Sequence, residues 1–167
     1  MKRKAPAPAR VPKASRPRMP GYGMPTGTKG LLPWTWAEER LRQSHNYYVI
    51  TVRPDATAHA MPVWGIWIDD RFYFSTGARS RKARNLDANA SCVICTERSA
   101  EAVIVEGTAS KLEDAERLEA IAPSYARKYK SFTLDPKMGP IFEVRPNVVF
   151  GLREKTFKST TRWTFPD

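Results

Sequence analysis

Apolar residues fall along this chain in short, mostly strand-like runs separated by turn residues, with few helical stretches between them. Tyr47–Arg53 (YYVITVR) is rich in aromatic and β-branched residues and predicts a strand. Pro54-Asp55-Ala56-Thr57 supplies a turn into a second strand, Ala58–Ile68 (AHAMPVWGIWI), which Pro62 and Gly65 mark as irregular or bulged. Asp69-Asp70 then turn the chain into Arg71–Ser75 and complete a hairpin. Ala90–Glu97 and Glu101–Leu112 read as another pair. Ile141–Arg145, Val148–Arg153 and Thr161–Phe165 read as later strands.

Three segments carry helical signals. Thr35-Trp36-Ala37-Glu38 fits a capping box, opening a helix to about Ser44. A short helix is expected from about Ser80 to Ala88. Glu113–Lys130 places Leu118, Ile121 and Ala122 at helical spacing, with Pro123 expected to break or kink it. Residues 131–140 form a Pro/Gly loop. Short strands in hairpins with helices at the connections predict a mostly β (α+β) fold, an antiparallel barrel decorated by helices.

The 167 residues fit one domain, and no apolar run approaches the roughly 20 residues that span a bilayer, so no membrane segment is expected. Two cysteines cannot staple a chain of this size, which favours a reducing, cytoplasmic setting. The net charge of +11 is unevenly spread: residues 1–30 hold eight basic residues, no acidic ones and six prolines, leaving an ordinary +3 elsewhere. Such a composition cannot offset the entropy of ordering, so residues 1–19 read as a disordered basic tail ahead of a folded domain, 20–167. Its charge could touch nucleic acid by counterion release; a solubilising extension is the favoured reading.

Arg71–Leu86 (RFYFSTGARSRKARNL) is the most informative segment. A strand ends in Ser75-Thr76, a loop holds Gly77, and Ser80-Arg81-Lys82 open a helix. A helix N-terminus presents unpaired N–H groups and about half a positive charge, and so attracts anions. Two hydroxyls, a guanidinium and an ammonium at the same corner add directional donors for phosphate oxygens. The bland alternative is Ser80 as a plain N-cap with Arg81, Lys82 and Arg84 on a solvated face. The spacing is neither a Walker loop nor a dinucleotide GxGxxG.

This segment, with His59–Leu86 around it, Val103–Ala109 (VIVEGTA) and the closing Thr161-Arg162-Trp163, resembles the pyridoxamine 5′-phosphate oxidase-like split-barrel superfamily. The likeness spans about residues 20–165 and is closest to the superfamily's flavin/deazaflavin-dependent oxidoreductases. It implies a six-stranded antiparallel split β-barrel with peripheral helices, of the FMN-binding type. It also implies a homodimer holding two cofactors, a deazaflavin coenzyme (F-420 type) or FMN, in clefts between subunits. On this resemblance Ser75, Thr76, Ser80, Arg81 and Lys82 hold the cofactor phosphate. Pro62, Val63 and Trp64 line the ring, and Trp163 is a second candidate for ring contact. The reaction implied is hydride transfer to or from a small organic molecule. The alternative is a non-catalytic split barrel that binds a flavin, deazaflavin or haem-type ligand.

Departures from the oxidases are specific. Ala60 and Gly65 stand where those enzymes carry an Arg and a Lys, Ala102 stands where they place a Gln, and the chain ends RWTF, without their Arg-x-His. These differences point to a relative of the vitamin B6 enzyme and towards the deazaflavin, with FMN close behind. Other signals are weaker. Cys92 and Cys95 have CxxC spacing, yet residues three apart on a strand face opposite sides, and no metal site is expected. His45 and His59 read as isolated strand or turn residues.

Overall fold

The two-residue period of Tyr47–Val52 is realised as a strand whose residues alternate between buried and open positions. The structure, a computed structural model, describes residues 11–130 and 132–166. Nine strands occur among them: β1 (Lys13–Ser15), β2 (Tyr47–Val52), β3 (Ala58–Val63), β4 (Ile66–Ile68), β5 (Arg71–Ser75), β6 (Ser91–Thr96), β7 (Glu101–Lys111), β8 (Ile141–Arg153) and β9 (Thr161–Thr164). Three α-helices accompany them: α1 (Trp34–Gln43), α2 (Arg81–Ala88) and α3 (Ala115–Lys128).

All strand pairs are antiparallel, in the order β1-β9-β8-β7-β6-β2-β3, with the β4–β5 hairpin joined to the first half of β8. The strands of five residues or more are β2, β3, β5, β6, β7 and β8. The terminal strands β1 and β3 do not pair with each other, so the sheet is open, as a split barrel is. One face of this sheet packs under α1 and α2 around Tyr47, Val49, Phe72, Ile94, Val103 and Trp163. A second cluster joins Ile121, Tyr125 and Tyr129 to Ile66, Tyr73 and Ile141, seating the α3 region on the β4–β5 side.

Several expectations are corrected. Within the segment expected to be disordered, Lys13–Ser15 form β1 and pair with Thr164, Trp163 and Arg162 of β9; residues 1–10 of that segment lie outside the described residues. Arg16 ties this strap down by donating to the carbonyls of Gly27, Lys29 and Lys158, acceptors that composition does not reveal. Thr35 is not a cap: α1 starts at Trp34, two residues before a Thr35 cap would place it, and its N-cap is Pro33, which offers no side-chain hydrogen bond. Pro123 does not break α3, which runs through it; only one backbone hydrogen bond is forfeited, and buried Ile121 and Tyr125 hold the helix in place.

Ala58–Ile68 is two strands, parted at Trp64-Gly65. There the chain passes so close to Phe72 that a Cβ on Gly65 would lie 2.2 Å from the ring. Conversely Ile141–Arg153 is one strand: a register shift at Glu106/Gly107 opposite Pro146 absorbs the missing N–H. Asp69 and Asp70, with φ of 50° and 56°, make the hairpin turn as expected.

Candidate functional site

The corner after β5 is built by its own polar residues. Ser80 is the N-cap of α2, its Oγ accepting from the Ala83 N–H at 3.2 Å, and Thr76 Oγ1 donates to the same oxygen at 3.0 Å. The Thr76 N–H donates to the Pro140 carbonyl, which seats the 136–140 loop against the corner. Capping takes the Ala83 amide and leaves those of Arg81 and Lys82 without intrahelical acceptors, at the positive end of the helix dipole. Ser80 is therefore a cap, and the corner is also cationic. Arg81 is exposed, Lys82 is half-buried, and burial holds the Lys82 ammonium below the usual lysine range. Among the described residues neither takes part in a salt bridge.

Lys82 also opens onto a cleft of about 530 Å³. Pro62, Val63 and Trp64 at the end of β3 form one wall, Ser75 and Tyr125 contribute hydroxyls, and Phe132 and Met138 stand on the opposite loop. Five of the expected residues, Pro62, Val63, Trp64, Ser75 and Lys82, thus line a single cleft, and Thr76, Ser80 and Arg81 form the corner beside it. Trp163 does not reach it. Its side chain is 1% exposed, edge-on to Trp34 at 5.5 Å and against Gly151, so the expected ring contact is withdrawn in favour of a core role.

Sequence reasoning missed the α3 contribution. The Trp64 indole stacks on Tyr129 with centroids 4.8 Å apart, and Phe132 meets its edge at 5.0 Å. The Tyr129 hydroxyl accepts from the Gly65 N–H at 2.9 Å and lies 2.8 Å from the Gly65 and His45 carbonyls. Lys128 Nζ donates to the Gly65 carbonyl at 3.0 Å and to the Tyr47 hydroxyl at 2.7 Å. Burial lowers this ammonium to about 8, against the opposing pull of Glu97. The usable signal was the run Tyr125, Lys128, Tyr129, Phe132, spaced three and four apart.

The cysteines behave as strand spacing predicts: Cys92 is buried and Cys95 only partly so, and burial pushes both thiols up, Cys92 to about 12. No group of His, Cys, Asp and Glu suited to a metal occurs among the described residues. No helix among them is long and apolar enough to cross a membrane.

The sequence profile of a family described as pyridoxamine 5′-phosphate oxidase matches residues 36–151. No curated protein matches the chain. Among solved structures, one described as an F420 reductase is 23% identical, with a TM-score of 0.53, over 67% of this chain and 94% of its own. A heme binding protein from Mycobacterium smegmatis is 17% identical, with a TM-score of 0.55, over 70% of this chain and 53% of its own. The heme storage protein HutZ from Vibrio cholerae is 14% identical, with a TM-score of 0.51, over 65% and 85%. At these identities the likeness is one of fold.

Proposed function

The chain belongs to the pyridoxamine 5′-phosphate oxidase family, and on that footing we propose that it is an oxidoreductase binding a deazaflavin coenzyme or FMN. The single observation that carries the reading is that an apolar wall and a cationic corner share one cleft, through Trp64 and Lys82. The residues fit such a group. Lys82, Arg81, the free amides of the α2 start and the Ser80 hydroxyl, which Thr76 positions, offer charge-assisted donors to a phosphate, each worth roughly 1.5–3 kcal/mol. Pro62, Val63 and Trp64 offer a flat apolar surface to a planar ring. When bound, the cofactor supplies hydride chemistry to or from a small organic molecule. The protein anchors the anionic end, orients the ring and excludes water.

A homodimer is part of this proposal. The sheet face opposite the core carries a continuous cross-strand row, Pro62–Tyr48–Cys95–Ile104–Phe150, whose members are exposed or half-buried. A second copy laid on that row would bring its own residues to the β3 end of the cleft.

Titration with FMN and with the deazaflavin, followed by visible spectra and fluorescence, tests the reading; turnover is then assayed as reoxidation of the reduced cofactor by electrophilic small molecules. Micromolar binding with reoxidation supports it. The second reading, a non-catalytic haem-type binder, draws on the two heme-protein neighbours of the same fold. A haem absorption band with no flavin or deazaflavin binding would favour that reading.

A further inference from the structure

The core-facing side of β3 holds a titratable residue beside the helix that carries the cationic corner. His59 stands directly opposite Thr51 in the β2–β3 pair. Thr51 Oγ1 accepts from Asn85 Nδ2 of α2 at 2.9 Å. Asn85 lies one turn beyond Arg81 and Lys82 and shares their helix face. This bond fastens α2 to β2 beside His59, and Lys82 in the first turn of α2 lines the cleft.

The charges that act on the ring are cationic. Burial comes first, then Arg53, Lys82 and Arg81, in holding His59 below the ordinary histidine range. Arg53 is fixed at the β2–β3 turn by bonds to Thr57 Oγ1 and the Ala58 carbonyl. The nearby carboxylate, Asp55, acts on Arg53 and is engaged by the Thr57 N–H and hydroxyl. His59 Nδ1 is buried with no hydrogen-bond partner. The three cations disfavour a proton on this ring, and an anion bound among them would reverse that and favour it.

We propose that His59 is a ligand of the phosphate group bound at this corner, and that the phosphate docks together with a proton taken from solvent onto the imidazole. The inference rests on the reading that a phosphate-bearing cofactor occupies the cleft. Proton uptake here belongs to the protein: at pH 7 a phosphate monoester, with a second pKa of about 6, is already mostly dianionic. Affinity therefore falls as pH rises through the titration of His59 in the complex.

Two histidines make the test direct. Proton NMR of the imidazole C2–H signals, assigned by His59→Gln, is followed from about pH 5 to 8.5. The full-length protein is measured alone, with saturating FMN, and with inorganic pyrophosphate. The expected result is a His59 midpoint below about 6.5 when free and at least about one unit higher with either ligand. Calorimetry in buffers of different ionisation enthalpy should find proton uptake at pH 7 in the wild type and none in His59→Gln. Riboflavin, lacking the phosphate, should leave the midpoint in place. FMN that binds without moving His59 overturns this inference and leaves the cofactor reading standing. Pyrophosphate that moves His59 while FMN and the deazaflavin fail to bind preserves the inference for phosphates and removes the cofactor reading. No movement with any phosphate overturns the inference.

Discussion

The Trp64 indole lies flat on the Tyr129 phenol, ring planes 9° apart, and the same phenol hydroxyl is bonded to the peptide that follows Trp64. The wall of the cleft is therefore set from behind by α3. Trp64 is 37% exposed on its free side, whereas Tyr129 is 3% exposed, so the tyrosine is the fixed partner and the indole the presented surface.

Tyr129→Phe retains the stack and leaves the buried Gly65 N–H without its acceptor, a cost of about 1–3 kcal/mol by urea denaturation. Tyr129→Leu loses both and should cost about 3 kcal/mol or more. FMN or deazaflavin affinity should fall further in Tyr129→Leu than in Tyr129→Phe, because only the former frees the indole. Equal affinities in both would detach Trp64 from ring binding.

Lys82→Ala should weaken FMN or deazaflavin binding more than tenfold, and Arg81→Ala also by more than tenfold, measured by calorimetry at low salt. Lys82 should be the larger loss, since it is half-buried on the cleft while Arg81 is exposed and screened. The Arg81 effect should shrink in about 0.5 M salt, where the screening length falls below roughly 5 Å. Unchanged affinity in Lys82→Ala would remove the corner from cofactor binding.

Much of this was legible in the sequence where local chemistry decides. The Asp69-Asp70 turn, the Ser80 cap and the alternation of β2 follow from residues adjacent in the chain. What was not legible depends on distant partners. Trp163 reads as a candidate ring contact until Trp34, from the other end of the chain, is seen against it. Lys13–Ser15 carries no strand signal of its own; its hydrogen bonds come from β9, almost the full chain length away. Tyr129 needed Gly65, far from it in the chain, whose N–H its hydroxyl accepts.

Gly65→Ala tests that close approach. A Cβ would stand 2.2 Å from Phe72 Cζ and 2.9 Å from the Tyr73 carbonyl, so both ring and backbone must shift. Overpacking of this kind costs about 1–3 kcal/mol or more. The denaturation midpoint should drop accordingly, with cofactor affinity lost in parallel as Trp64 moves.

Lys128 gives a pH signature of stability. Burial, offset in part by Glu97, lowers its folded value to about 8, whereas the unfolded chain titrates near 10.4. Between those values the unfolded chain binds more protons, so stability rises with pH across the window. Buried Tyr47 and Tyr129, both pushed up, act the other way above about pH 10, which confines the useful range to about 8–9.5. From pH 7.5 to 9.5 the wild type should gain on the order of 1 kcal/mol relative to Lys128→Met, after discounting for partial exposure. A flat difference would place Lys128 in solvent.

The uncovered sheet face makes the remaining prediction. Tyr48 and Pro62 are exposed, and Cys95, Ile104 and Phe150 half-buried, along one cross-strand row; the next row, Ala60–Ile50–Val93–Glu106–Val148, is apolar except for the exposed Glu106. Monomers rarely leave an apolar row of this length in water, and a two-fold axis lets one row cover its copy. Ile104→Asp puts a charge at the centre of that row without touching the core, because the neighbouring Val103 and Val105 carry the buried contacts. The variant should sediment as a monomer where the wild type sediments as a dimer, with unchanged far-ultraviolet circular dichroism. Since Pro62 belongs both to this row and to the cleft wall, its flavin or deazaflavin affinity should fall as well. A wild type that sediments as a monomer, or a monomeric variant that binds cofactor as tightly as before, would separate the cleft from the interface.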